Sequence, residues 1–253
     1  DLQPRRAELF GRLAELPPSL LLFLKQLREV SIVDESNADG GVGGIRMRRA
    51  DELSDKDARW REAALRARVE VSRAGGPWEA ELWLLVRRCC DVPPGVAKPG
   101  IAQPPKTTLL EVALPLDAEG AFDRARGAQP VFAFLPVRSF GLAFALQADW
   151  AVSSSREELL SGCAWNEFLK SQLPRLLLEL VEEVKREPVG SPLRWTFYSA
   201  VPPLATASYF FRPALAQLHA ALREHECMLT DEDGFVVPRL ALRCSADARA
   251  AFE

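Results

Sequence analysis

Apolar and polar side chains alternate through much of the first half of the chain. Ala67, Val69 and Val71 share one face of an extended segment, an Ala-Gly-Gly-Pro turn follows, and Trp78, Ala80, Leu82, Leu84 and Val86 alternate again. Period-two patterning around a turn predicts an antiparallel hairpin. TTLLEVALPL, residues 107–116, predicts a further strand. PVFAFLPVRSFGLAFALQADWAV, residues 130–152, predicts two apolar strands joined around Pro136 and Gly141, the second running straight into residue 153.

The period then changes. Trp165, Phe168, Leu169, Leu173, Leu176, Leu177, Leu180, Val181 and Val184 fall on one face of a helix, and Glu167, Lys170, Arg175, Glu179, Glu182, Glu183 and Lys185 on the other. Pro174 is expected to bend that helix partway. Nearer the start, Leu20, Leu21, Phe23, Leu24, Leu27 and Val30 keep helical spacing behind Pro17, and SIVDE (residues 31–35) predicts a short strand. ESNADGGVGG (residues 35–44) and PPGVAKPGIAQPP (residues 93–105) predict loops. A proline-punctuated connector over residues 188–203 leads to a helix in PALAQLHAALREHE and a small hairpin turning at Asp233-Gly234. The expected class is α/β (α+β): a mixed, largely antiparallel sheet with packed helices over residues 1–187, and a C-terminal helix-and-hairpin subdomain over residues 188–253.

At the junction between strand and long helix stands SSSREELLSGCAWNEFLK, residues 153–170. Ser155 and Glu158 have capping-box spacing, which predicts Ser155 as N-cap and Arg156 as the first helical residue. A cation there opposes the helix dipole by roughly 0.3–1 kcal/mol. Either Arg156 folds back onto Glu157, Asp149 or solvent, or it serves an anion. A guanidinium beside the free N–H groups of a helix start would suit phosphate.

Composition narrows the classes without selecting one. The 253 residues are 48% hydrophobic and 26% charged, with formal net charge -3, as in a globular protein able to bury a core without metal or disulfide staples. Cys89, Cys90, Cys163, Cys227 and Cys244 are odd in number and lack C-x-x-C spacing, so they are expected as reduced thiols in a cytoplasmic or nuclear setting. No apolar run reaches the roughly 20 residues of a membrane span. The chain begins at Asp1 without methionine, and the expectation is a piece of something longer.

The other candidate motifs do not hold together. His219, His225 and Cys227 lack the spacing that places metal ligands on one helical face, so no metal is expected. DESNADGG and TDEDGF lack the full ligand alternation of a calcium loop, and GGVGG lacks the flanks of a dinucleotide fingerprint. There is no G-x-S-x-G elbow. Arg5-Arg6, Arg48-Arg49 and Arg87-Arg88 are scattered among acids in a chain of negative net charge, so a nucleic-acid surface is unsupported; the lack of a spanning apolar run leaves no membrane partner expected.

Residues 131–169 carry a further pattern: FLP, a glycine, a strand ending in Q-A-D, then S-S-x-R-E and W-N. This pattern resembles the region following the ATPase domain in sacsin-like and NO VEIN-like proteins, distant relatives of the ninety-kilodalton heat-shock chaperones. LPPSLLLFLKQLREVSI and ECMLTDEDGFVVP are weaker echoes of the same region. The resemblance implies a middle, transducer-like domain with a βαβ fold like that of ribosomal small-subunit protein five. It also implies a phosphate-contacting loop, onto which Ser155, Arg156, Glu157 and Leu159 map. On that reading Arg156 is the catalytic contact to the γ-phosphate, and Ser154, Ser155 and Arg156 are the cofactor-binding residues. The nucleotide, ATP with Mg, would be held by an upstream ATPase domain of the same chain, no cofactor being bound within this segment. Client or partner proteins would act on the assembly. Leu160 stands where the chaperones carry a second polar residue, a glutamine, and the family's nucleotide pocket, an acidic and asparagine-bearing helix followed by glycine-rich lid motifs, has no counterpart in the sequence, so the segment alone is expected to be no enzyme. The alternative reading is an interaction scaffold with no nucleotide role.

Overall fold

The computed structural model describes residues 8, 13, 16–24, 26–33, 44–50, 64–73, 75–103 and 105–241. Its frame is a sheet of eight strands: β1 (Glu29–Val33), β2 (Gly44–Arg49), β3 (Leu65–Arg73), β4 (Glu79–Asp91), β5 (Thr107–Leu116), β6 (Gln129–Ala133), β7 (Leu135–Leu142) and β8 (Ala145–Ala148). Their order is β1-β2-β3-β4-β5-β8-β6-β7, and every neighbouring pair is antiparallel except β6 with β8. The fold is mixed α+β with a largely antiparallel sheet.

The predicted hairpin is present as β3 and β4, in register from Leu65 opposite Leu85 to Val71 opposite Glu79. β4 is 13 residues long and pairs along ten of them with β5. Alternation in β4 serves two buried surfaces at once. Leu84, Val86 and Cys90 enter one apolar cluster, while Trp83 and Leu85 enter the other. A sheet covered on both faces buries successive residues on opposite sides.

The larger cluster lies under the long helix. Ala164–Lys185 forms it, with Pro174 inside and Trp165, Leu169, Leu173, Leu176, Leu177, Leu180, Val181 and Val184 buried, as the spacing predicts. Each such side chain contributes about 1.5–3 kcal/mol on burial. The helix Arg212–Glu224 packs against it, and Leu193, Phe197, Phe211, Leu215 and Leu218 join the same cluster as the sheet. Residues on either side of position 187 therefore share one core. The terminal hairpin pairs Met228–Leu229 with Phe235–Val236, turning through Asp233 at φ 62.

Two elements depart from the sequence reading. The early helix is a single turn, Leu20–Phe23, whose four residues are buried in the second cluster. Leu27 is exposed, and Val30 belongs to β1, where it pairs with Met47. Strand pairing overrides the helical spacing there. The stretch 130–152 makes three strands rather than two. The chain reverses at Phe134, and both Pro136 and Gly141 lie within β7. Proline is tolerated because β7 is an edge strand with an irregular register against β6. The loop predicted over residues 35–44 lies outside the described residues except for Gly44, which opens β2.

Glu70 on β3 accepts from Arg48 Nε at 2.6 Å and from Arg68 Nε at 2.9 Å. The Arg48 hydrogen bond, with the attraction of both guanidiniums, outweighs burial and holds its carboxyl below the ordinary 4.5. Glu182 is also lowered: burial works against it, but hydrogen bonds from Lys185 and His225 prevail. A depressed carboxylate stabilises the fold above its unfolded pKa, and that contribution is lost as pH falls towards the folded value. Stability is therefore expected to decline as pH drops below 4.5. Glu70→Gln should flatten the fall in the urea midpoint across that range. Glu81, raised mainly by burial, acts in the opposite sense.

Candidate functional site

β6 and β8 run side by side in the same direction, with Val131 opposite Leu146 and Phe132 opposite Gln147. Their carboxyl ends therefore meet at one edge of the sheet. In sheets with parallel strands, such ends leave a crevice that commonly receives ligands. Here the loop from β8 to the long helix closes over that edge.

The loop does not open a helix. A bridge between Val152 and Leu159 closes it, and Ser153 N donates to Glu158 O at 2.8 Å. Arg156 N donates to Ser153 O at 2.9 Å, with Arg156 at φ 62, a left-handed conformation that turns the chain back. The long helix begins only at Ala164, after Gly162 at φ 68, with Cys163 at the N-cap position. The capping-box expectation for Ser155 and Glu158 is thus corrected. Ser153 Oγ accepts from Glu158 N at 3.3 Å, and the Glu158 carboxylate pairs with Arg138 on β7. The S-x-x-E spacing serves a tight hairpin loop, because glycine two residues before the helix delays its start. No helix dipole bears on Arg156.

Arg156 is exposed, and its guanidinium reaches across to β6, where Nη2 donates to Ala133 O at 3.0 Å. It binds neither Glu157 nor Asp149. Ser154 and Ser155 are exposed on the same loop, with Ser155 Oγ 3.1 Å from Ser153 Oγ. Beneath the loop lies an open cleft of about 240 Å³ lined by Arg156, Lys98, Asp149, Ala133, Phe134 and Leu160. Lys98 comes from the proline-rich loop and pairs with the Asp149 carboxylate.

The remaining motif residues hold this arrangement in place. Asn166, fully buried in the first turn of the long helix, accepts from Ala151 N at 2.8 Å and donates to Ala151 O at 2.8 Å and Leu160 O at 3.0 Å. One side chain thereby fixes both ends of the loop. Trp165, also fully buried, donates from Nε1 to Asp149 O at 2.7 Å. Gln147 accepts from Phe134 N at 2.9 Å. FLP, Q-A-D, S-R-E and W-N, up to 32 positions apart in sequence (134 to 166), thus form one hydrogen-bonded assembly around the ends of β6 and β8. Sequence reasoning singled out Arg156 and missed the supporting roles of Phe134, Gln147, Asp149 and Asn166. Their places within the pattern that carries the resemblance were the signal available.

Two neighbouring residues, Phe134 and Arg156, take positive φ without being glycine. Such conformations cost of order 1–3 kcal/mol each and persist where surrounding contacts impose them. The Arg156 guanidinium and the Gln147 amide supply those contacts at the one peptide group that joins Ala133 to Phe134. The site offers a cation and hydroxyls at a loop tip, which suits an anion.

Elsewhere the candidate residues are not brought together. His219 lies against Pro202 O and His225 against Glu182, and no group of metal-ligating side chains forms among the described residues. Arg48, Arg87 and Arg88 pair with Glu70, Glu111 and Glu179. Cys89, Cys90, Cys163 and Cys227 are unpaired thiols; burial pushes Cys90 up to about 11 and raises Cys227 as well, so both stay protonated near neutrality. No described helix is long and apolar enough to cross a membrane.

Among curated proteins the chain is similar to Protein NO VEIN of Arabidopsis thaliana, at 30% identity over 147 residues. That similarity covers 54% of this chain and 5% of the length of NO VEIN. No family model matches the chain, and no solved structure does.

Proposed function

We propose that the chain is a middle, transducer-like segment of a longer NO VEIN-like protein, and that Arg156 contacts the terminal phosphate of a nucleotide held by a neighbouring domain. The observation that carries the reading is an exposed arginine on a loop whose two ends are pinned by Asn166 and whose guanidinium is positioned by Ala133 O. Preorganised cations aimed at developing charge are an effective way to stabilise phosphoryl transfer. The source of that nucleotide in this reading is a chaperone-type ATPase domain, taken from the resemblance of the S-R-E pattern. Leu160 lines the same cleft with an aliphatic side chain. It can neither orient water nor hydrogen-bond the phosphate, so the segment's part is contact and coupling rather than attack. In this proposal ATP and Mg belong to the other domain, client proteins respond to its closure, and the setting is intracellular.

The test is ATP turnover in the longer protein. Arg156→Ala is expected to lower kcat by about 10³-fold, as for a lost arginine finger. Arg156→Lys should restore only part of it, because lysine lacks the bidentate fork. Unchanged turnover in Arg156→Ala would remove the nucleotide role and leave the scaffold reading.

A further inference from the structure

On the sheet face away from the long helix, a second groove of about 340 Å³ adjoins the Arg156 cleft, sharing Phe134 and Asp149 with it. Its size falls within the range of small-ligand sites, roughly 300–1,000 Å³. Three features of its lining converge on one ligand chemistry.

The first is the pairing of β5 with β8. Glu111 and Gln147 are direct register partners on these antiparallel strands, so a carboxylate and an amide stand side by side on one face. The second is the state of Gln147, which is 3% exposed. The Phe134 N–H fixes its Oε1, and its amide nitrogen, which makes no hydrogen bond among the described residues, is left as the donor to the groove. Glu111 takes Arg87 Nε at 2.6 Å, but a carboxylate offers about four acceptor sites and can receive a ligand donor as well. The third is Phe134 itself. It is held at φ 65, where glycine would sit without strain, yet it carries an aromatic ring that is 39% exposed at the groove wall. A strained backbone bearing an exposed ring points to use of the ring.

We infer that this groove binds a planar amino-substituted nitrogen heterocycle, stacked on Phe134, with its amino group donating to Glu111 and its adjacent ring nitrogen accepting from Gln147. The 6-aminopurine and 4-aminopyrimidine edges present that donor and acceptor in adjacent positions; the corresponding oxo-heterocycles present them reversed. The inference uses residues on the sheet face and does not depend on Arg156 or on a neighbouring domain.

The experiment is titration of the 253-residue chain with adenosine, cytidine, inosine and uridine, followed by calorimetry and ligand-observed NMR. Adenosine or cytidine is expected to bind, with inosine and uridine weaker by about tenfold or more. Phe134→Gly should weaken binding by about tenfold or more through the lost stack. The melting temperature of that variant should change little, because relief of the positive φ offsets the loss of a partly buried ring; retained folding with lost affinity separates ligand contact from structural damage. Gln147→Glu, which keeps an acceptor for Phe134 N–H but removes the donor, should erase the preference over inosine and uridine. Absence of binding by both amino nucleosides would overturn the inference. So would equal binding of the amino and oxo nucleosides, or affinity unchanged in Phe134→Gly.

Discussion

Replacing Asn166 by alanine is expected to lower the unfolding free energy by about 2–4 kcal/mol, as read from urea denaturation. The side chain is fully buried and satisfies Ala151 N, Ala151 O and Leu160 O. Ala151 O retains the bond from Leu160 N at 3.0 Å, so the variant strands chiefly the Ala151 N–H and the Leu160 carbonyl. Each buried polar group left without a partner costs about 1–3 kcal/mol. Asn166→Asp should be worse: one carboxylate oxygen still accepts from Ala151 N, but the other faces two carbonyl oxygens instead of donating to them. Because Asn166 holds both ends of the loop, amide exchange at residues 153–159 should accelerate before global unfolding. A loss below about 1 kcal/mol would show that the loop is held by other contacts.

The second large effect belongs to the sheet itself. Arg87 and Glu111 form an ion pair at 2.6 Å with side chains 6% and 10% exposed. Glu111→Leu is expected to cost about 3–5 kcal/mol, because it leaves a guanidinium buried without its carboxylate. The double variant Arg87→Met with Glu111→Leu should recover most of that loss, since a buried ion pair often exchanges for apolar packing at little net cost. A double-mutant cycle from denaturation midpoints measures the coupling directly. Equal losses in the single and double variants would mean that the charge pair is not the dominant interaction there.

Both predictions concern positions that periodicity cannot locate. The hairpin β3–β4, strand β5 and the long helix were legible because each buries one regular face: alternate residues on the strands, and the Trp165-to-Val184 stripe on the helix. Where that regularity ends, reading by spacing fails. Leu20 through Val30 keep helical spacing, yet Val30 is committed to Met47 across β1 and β2, a partner only the tertiary fold supplies. Nothing about phenylalanine marks the reversal at Phe134, whereas Pro136 and Gly141 resemble turn residues and lie inside an edge strand. Ser155 and Glu158 have the spacing of a helix cap, but the same spacing closes the Arg156 hairpin.

The candidate site shows the same division. Arg156 was legible as an oddity, a cation where a helix was expected to begin. Its actual setting replaces the helix dipole with a direct tether to Ala133 O. Gln147 and Asn166 act on main-chain groups of distant segments, and Asp149 on the side chains of Lys98 and Trp165, contacts that leave no spacing signature. They stood out in the sequence only as letters of the pattern that carries the family resemblance.

The central claim is that the Arg156 loop touches the terminal phosphate of a nucleotide. Its most direct test is hydrogen exchange at residues 153–159 in the longer protein, compared among the nucleotide-free, ADP-bound and non-hydrolysable ATP-analogue-bound states. Protection of these amides is expected with the triphosphate analogue and not with ADP. Identical exchange in all three states, with nucleotide demonstrably bound, would contradict it.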